Sequence, residues 1–228
     1  MKTCVLSTLM VVLMASSVAN AGVIYTNLGP GGTYSTDTFN VVRGATADPP
    51  FGSADQANAF TVGATDYTFA SALLALDFCG GGILQGCTGT NQIDILLLSN
   101  TSNNLPGTVL QTIPLSNIPD IGYPTSGTLL VMANAVAPLT LHANTAYWLG
   151  ATVLAPDSYF AWLVNNTGDQ IFAFRPDGGA WVPGVQHAAS AAFQIIGNPT
   201  PEPSSLTMLL IAVLAGWLLL RNREPQKS

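Results

Sequence analysis

The sequence predicts an all-β protein: one β-sandwich domain, jelly-roll-like, set between an N-terminal signal peptide and a C-terminal apolar helix. Three observations carry that expectation. Between Gly22 and Gly197 no stretch sustains a helical period over three turns. About a dozen short apolar or alternating runs recur there between Gly, Pro, Asn and Asp clusters, the pattern of sandwiches and barrels. Uncharged apolar runs also stand at both ends of the chain, outside that pattern. No repeat of propeller or solenoid length is visible, which sets those architectures aside.

The first element is the leader, residues 1–21. Lys2 opens a short basic region, residues 5–14 are apolar, and Ala19-Asn20-Ala21 supplies a small-x-small cleavage pattern. Signal peptidase acting there leaves Gly22 as the new N-terminus. Cys4 lies inside this leader, and a lipobox would need a cysteine where Gly22 stands, so no N-terminal lipoprotein is expected.

The body, residues 22–197, then reads as strands. Residues 23–28 are ended by the turn cluster Gly29-Pro30-Gly31-Gly32, residues 39–42 follow, and a loop passes through Asp48-Pro49-Pro50. Residues 57–62 come next. The run 67–78 is apolar on both faces, as in a central strand. Residues 93–98 return across a cysteine loop, giving a hairpin. Asn103-Asn104-Leu105-Pro106-Gly107 is a turn, with Pro fixing φ and Gly free to take positive φ. Strands 108–114, 128–132, 147–153 and 159–164 continue the series. Asn165-Asn166-Thr167-Gly168 turns the chain into 170–175, Asp177-Gly178-Gly179 leads to Trp181, and 191–196 closes the domain.

Charge narrows the partners. From Gly22 to Thr200 the cations are Arg43 and Arg175, and all ten acids are aspartates. Ten against two leaves a net charge of about −8 at neutral pH. Nucleic acid and anionic lipid both need clustered Lys and Arg, so neither is an expected ligand. Cys79 and Cys87 bracket a glycine-rich loop. In an oxidising exported compartment they read as a disulfide clipping a hairpin tip, adding about 2–3 kcal/mol.

The end of the chain completes the organisation. Residues 198–205 are Pro-rich, a stiff linker containing Pro201-Glu202-Pro203 and then Ser204-Ser205. Residues 206–220 are apolar and uncharged, short for a permanent bilayer anchor of roughly 20 residues. Residues 221–228 open with the basic stop Arg221 and Arg223, which holds such a helix at the cytoplasmic face. Tripeptide, helix and basic stop, in that order and spacing, resemble the PEP-CTERM sorting signal of Gram-negative bacteria. The departure from its pattern is that Glu224-Pro225-Gln226-Lys227-Ser228 follows the arginines. The resemblance implies recognition by an exosortase, a membrane-embedded cysteine protease. It also implies passage through the inner membrane and delivery to the cell surface or extracellular matrix. The body resembles the choice-of-anchor R group, carried by segments 27–34, 104–107 and 146–149, by Trp162 with 165–168, and by 177–181. That resemblance implies a β-sandwich and assigns no reaction.

Nothing in the body reads as a catalytic centre. Asp77 and Asp94 sit in strands either side of the cysteine loop and would approach each other across that hairpin, though strand carboxylates more often face solvent. His142 and His187 read as surface histidines, without a nucleophile elbow near either. No zinc spacing or phosphate loop is present, and no cofactor is expected. Asn165-Asn166-Thr167-Gly168-Asp169 is the best oxygen-rich run for a calcium ion, with an Asx-turn as the plainer reading. Among the aromatics, Trp148 and Trp162 are expected in the core, and Trp181 is expected to be partly exposed, as a possible sugar contact. The expected function is a non-enzymatic structural or adhesive surface protein. A carbohydrate-binding module is the second reading and a polysaccharide hydrolase the third.

Overall fold

A computed structural model describes residues 21–48, 50–78, 89–120, 130–168, 171–184 and 189–200, together with Ile211 and Leu214. The chain divides into two units, residues 20–199 and the two terminal segments. The first unit is all-β. Its strands are β1 (Gly22–Thr26), β2 (Phe39–Arg43), β3 (Ala54–Thr61), β4 (Tyr67–Leu74), β5 (Leu76–Phe78), β6 (Gln92–Asn100) and β7 (Pro106–Ser116). They continue as β8 (Val131–Asn134), β9 (Thr140–Leu141), β10 (Ala146–Thr152), β11 (Tyr159–Leu163), β12 (Phe172–Pro176), β13 (Val182–Pro183) and β14 (Phe193–Pro199).

They form two antiparallel sheets. The smaller runs β1-β14-β4-β8, with β9 also on β4. The larger runs β5-β11-β2-β3-β10-β6-β7, with β12 on β3 and β13 on β12. Alternation decides what lies between them. Tyr147, Leu149 and Ala151 of β10 join Phe60, Ile93, Ile95 and Leu97 of the large sheet with Phe69, Leu74, Phe193 and Ile195 of the small one in a single buried cluster. The opposite face of β10 is closed too. Trp148 lies there with Ala57, Leu96, Leu98 and Ala173, with Leu105 and Trp181 packed against them. Trp148 and Trp162 are both core residues, as expected. Each indole N–H is satisfied, by Asn100 Oδ1 at 2.8 Å and by the Ala192 carbonyl at 3.0 Å.

Two expectations fail here. The run 67–78 is not one strand. At Ala75 the chain leaves the small sheet and enters the large one, and Ala75 itself bonds the backbones of Ala192 and Leu163. Its two apolar faces reflect this change of sheet. Nor do β5 and β6 form a hairpin around the cysteine loop: β11, β2, β3 and β10 stand between them in the pairing order. Sequence neighbours were read as spatial neighbours, a rule that holds only part of the time. Cys79 and Cys87 lie outside the described residues, as do the first two residues of 128–132, where β8 begins at Val131.

Four asparagines hold the approach to β14. Asn27 Nδ2 donates to the Ala191 carbonyl at 2.8 Å and its Oδ1 accepts from Phe193 N–H at 2.7 Å. Asn58 Oδ1 accepts from Ala191 N–H at 2.8 Å, Asn165 Nδ2 donates to the Ser190 carbonyl at 2.7 Å, and Asn40 Nδ2 donates to the Ala189 carbonyl at 3.2 Å. These side chains add to the backbone bonds this segment makes with Leu163, Asn165 and Ala75 and to its bridge with Val164.

Candidate functional site

The strand registers define two ends of the domain. At one end Gly22 faces Gly197, and Pro199 faces Tyr67, which faces Leu141 on its other side. The chain therefore enters at Gly22 and leaves at Pro199 on the same end of the small sheet. Ala21 is exposed there. Ala19, Pro201, Glu202, Pro203, Arg221 and Arg223 lie outside the described residues. Ile211 and Leu214 are helical and exposed. Among the described residues no helix is long and apolar enough to cross a membrane.

Beside that exit sits an acid–base pair. Asp66 Oδ1 accepts from Ala143 N–H at 2.7 Å, and its Oδ2 lies 3.2 Å from His142 Nδ1. The Ala143 N–H first, and His142 second, hold the Asp66 carboxyl below its ordinary 3.8. A depressed carboxyl adds stability above its unfolded value and loses it as pH falls through the folded one. The small thermal-stability advantage over Asp66→Asn should therefore persist above pH 3.8 and shrink below it. An advantage unchanged into strong acid would show that the carboxylate is not the source. His142 is a surface residue, with its side chain 68% exposed. His187 lies outside the described residues.

The opposite end gathers the rare cations. Arg43 ends β2 and pairs in register with Ala54, where β3 begins, while Arg175 pairs with Asp55. The Arg175 guanidinium meets the Asp55 carboxylate at 2.8 Å through both Nε and Nη2. It also lies 4.9 Å from the centre of the Trp181 ring. Trp181 is half-buried, as expected. With Arg175 over its ring and the Trp148 cluster beside it, little flat surface remains for a sugar.

Arg43 does similar work on a loop. Its Nε donates to the Gly52 carbonyl at 2.9 Å, its Nη2 to the Phe51 carbonyl at 3.1 Å, and its Nη1 stands 3.6 Å from Asp48 Oδ2. The guanidinium lies 5.5 Å from the Phe51 ring centre. Asp177 pins the same loop from the β12–β13 turn: Ser53 N–H donates to its Oδ1 at 2.9 Å, and its own N–H donates to the Ser53 carbonyl at 3.1 Å. Gly52 has φ +68°, and a Cβ there would strike the Asp177 carboxylate, so glycine is required. Burial first, and the Asp48 charge second, raise Tyr159 above its ordinary value, against the pull of Arg43. Phe51 itself remains 66% exposed. Sequence reading passed over it. The available signal was an aromatic directly after Asp48-Pro49-Pro50, one loop from one of the body's two cations.

The other candidates disperse. Asp77 is buried at 2% and pairs across β5–β11 with Ala161, whereas Asp94 is half-buried on β6 between β10 and β7. The approach of the two carboxyls weighed from the sequence does not occur, because their strands are not neighbours, and the favoured reading that both face solvent fails at Asp77, which is buried. Asn165 Oδ1 accepts from Thr167 N–H at 3.0 Å and Gly168 N–H at 2.9 Å, the Asx-turn reading of that run. Asp169 lies outside the described residues. Among the described residues no three His, Cys, Asp or Glu side chains are grouped to hold a metal ion.

Comparison with known proteins adds one finding. The PEP-CTERM protein-sorting motif matches residues 199–223, beginning at the last residue of β14. No curated protein matches the chain. The motif marks an exosortase substrate, and it implies export through the membrane to the cell surface.

Proposed function

We propose that the body is a non-enzymatic structural or adhesive element of a Gram-negative cell surface or its extracellular polysaccharide matrix. On this reading signal peptidase releases Gly22, the chain crosses the inner membrane, and exosortase processes it near Pro201-Glu202-Pro203. The observation that carries the reading is the sorting motif at 199–223, which begins at the last residue of the final strand. Resemblance to the choice-of-anchor R group goes with the β-sandwich body and assigns it no reaction. The use of the buried asparagines in holding backbone supports the structural reading. The intact mass of the protein from its native host tests the sorting. The expected species begins at Gly22, ends near Pro201–Pro203 and lies outside the inner membrane. A full-length chain retained in the inner membrane would overturn it. Deleting residues 22–197 while keeping both terminal signals tests the body, and should weaken matrix cohesion; an unchanged matrix would count against a structural role.

A second reading, a carbohydrate-binding module, is favoured by one feature: the rigidly held and exposed Phe51. A hydrolase would need two opposed carboxyls, and Asp77 and Asp94 are on strands with four others between them in the sheet.

A further inference from the structure

We infer that Phe51 is the stacking platform of a glycan-contact site, at the end of the domain opposite Pro199, and that its ligand is a neutral polysaccharide. This rests on the carbohydrate-binding reading and gives it a location and a ligand class. Three observations converge. The first is position. β3 runs eight residues from Ala54, beside the Phe51 loop, to Thr61, beside the exit at Tyr67, a separation of about 23 Å along the strand. With the chain leaving at Pro199, the Phe51 end is the one directed away from the point of attachment.

The second observation is rigidity without burial. A phenylalanine in a polar loop that is two-thirds exposed gains little from hydrophobic burial where it stands. Its loop is nevertheless fixed on both sides. Arg43 bonds the Phe51 and Gly52 carbonyls, Asp177 takes Ser53 N–H, and Phe51 N–H closes a turn onto the Asp48 carbonyl at 3.0 Å. The neighbouring loop is tied in as well, by Thr46 N–H to the Pro156 carbonyl at 2.8 Å. Ordering the ring in advance lowers the entropy lost on binding. Arg43 occupies one face of the ring and leaves the other for the apolar C–H face of a sugar.

The third observation is the polar surround. The Asp48 carboxylate, partly exposed on the same loop 3.6 Å from Arg43 Nη1, is an acceptor for sugar hydroxyls. Both local cations are already paired, Arg43 with Asp48 and Arg175 with Asp55, so the site offers no free positive charge for an acidic polymer. The body's net charge of about −8 repels one further. A neutral chain is the polymer these charges admit.

The test uses the mature protein from its host, run by affinity electrophoresis through gels holding the neutral or the acidic fraction of the host's extracellular polysaccharide. The neutral fraction should retard it. Phe51→Ala should weaken that retardation by about tenfold or more at unchanged Tm, because the ring is exposed. Phe51→Trp should keep it, and Trp181→Phe should bind as the parent. Retardation by the neutral fraction that survives Phe51→Ala would overturn this site and leave the carbohydrate reading standing. Retardation by the acidic fraction alone would overturn the ligand class. Retardation by neither would sink the site and the carbohydrate reading together.

Discussion

Replacing Trp162 with alanine should cost about 3–5 kcal/mol of folding stability, the usual range for deleting a fully buried aromatic. Trp162 has no exposed surface and sits mid-strand in β11. Its ring meets Phe193 edge-on at 6.3 Å, joining the large sheet to the last strand of the small one. Its indole N–H also satisfies the Ala192 carbonyl. The substitution opens a cavity between the sheets and removes one of the two donors to that buried carbonyl, leaving the Ala75 N–H. Whole domains are stable by only about 5–15 kcal/mol, so the loss is a large fraction of the total. Thermal unfolding followed by circular dichroism should show a Tm lower by about 10 °C or more. A loss below about 1 kcal/mol would mean that the two sheets close over the gap, and the packing described for β11 would be wrong.

Asn27→Ala should be nearly as damaging, at about 2–5 kcal/mol, for a different reason. One short side chain satisfies two buried backbone groups 164 and 166 residues away, the Ala191 carbonyl and Phe193 N–H. Alanine leaves both unpaired, at about 1–3 kcal/mol each. Asn166, exposed and bonded to Thr33 Oγ1 at 3.2 Å, is the internal comparison. Asn166→Ala should change stability by no more than about 0.5 kcal/mol. Urea unfolding of the two variants reads the difference directly. Equal effects would show that the asparagine contacts near β14 are incidental. A large gap would identify Asn27 as the tie that fastens β14, and with it the chain leading to the sorting motif, to the rest of the domain.

Much of the fold class was legible because it depends on short-range pattern. A turn forms next to the expected one but at residues 101–105: Asn104 takes φ +58° and Thr101 N–H donates to the Leu105 carbonyl at 2.9 Å, while Pro106 and Gly107, expected to make the turn, begin β7. Asp177 and Gly178 both take positive φ at the β12–β13 turn, as an Asp-Gly pair favours. Burial of Trp148 and Trp162 follows from their place inside apolar strands. Pairing was not legible. Residues 67–78 looked like one central strand because a segment that serves two sheets is apolar on both sides, whichever way it turns. Asp77 looked solvent-facing because alternation cannot show that β5 packs on β11.

The sequence by itself determined the sorting motif and the all-β class. A Pro-Glu-Pro tripeptide and the apolar run after it are read as a linear signal, and strand and turn preferences act over a few residues. Tertiary structure alone decided the strand order, the exit of both chain ends at Gly22 and Pro199, and the clamp that holds Phe51 in the open. Those depend on contacts such as Arg43 with Asp48, Asp177 with Ser53 and Asn27 with Phe193. Where such partners lie far apart in sequence, a local pattern favours strand or turn without saying which strand or turn it will meet.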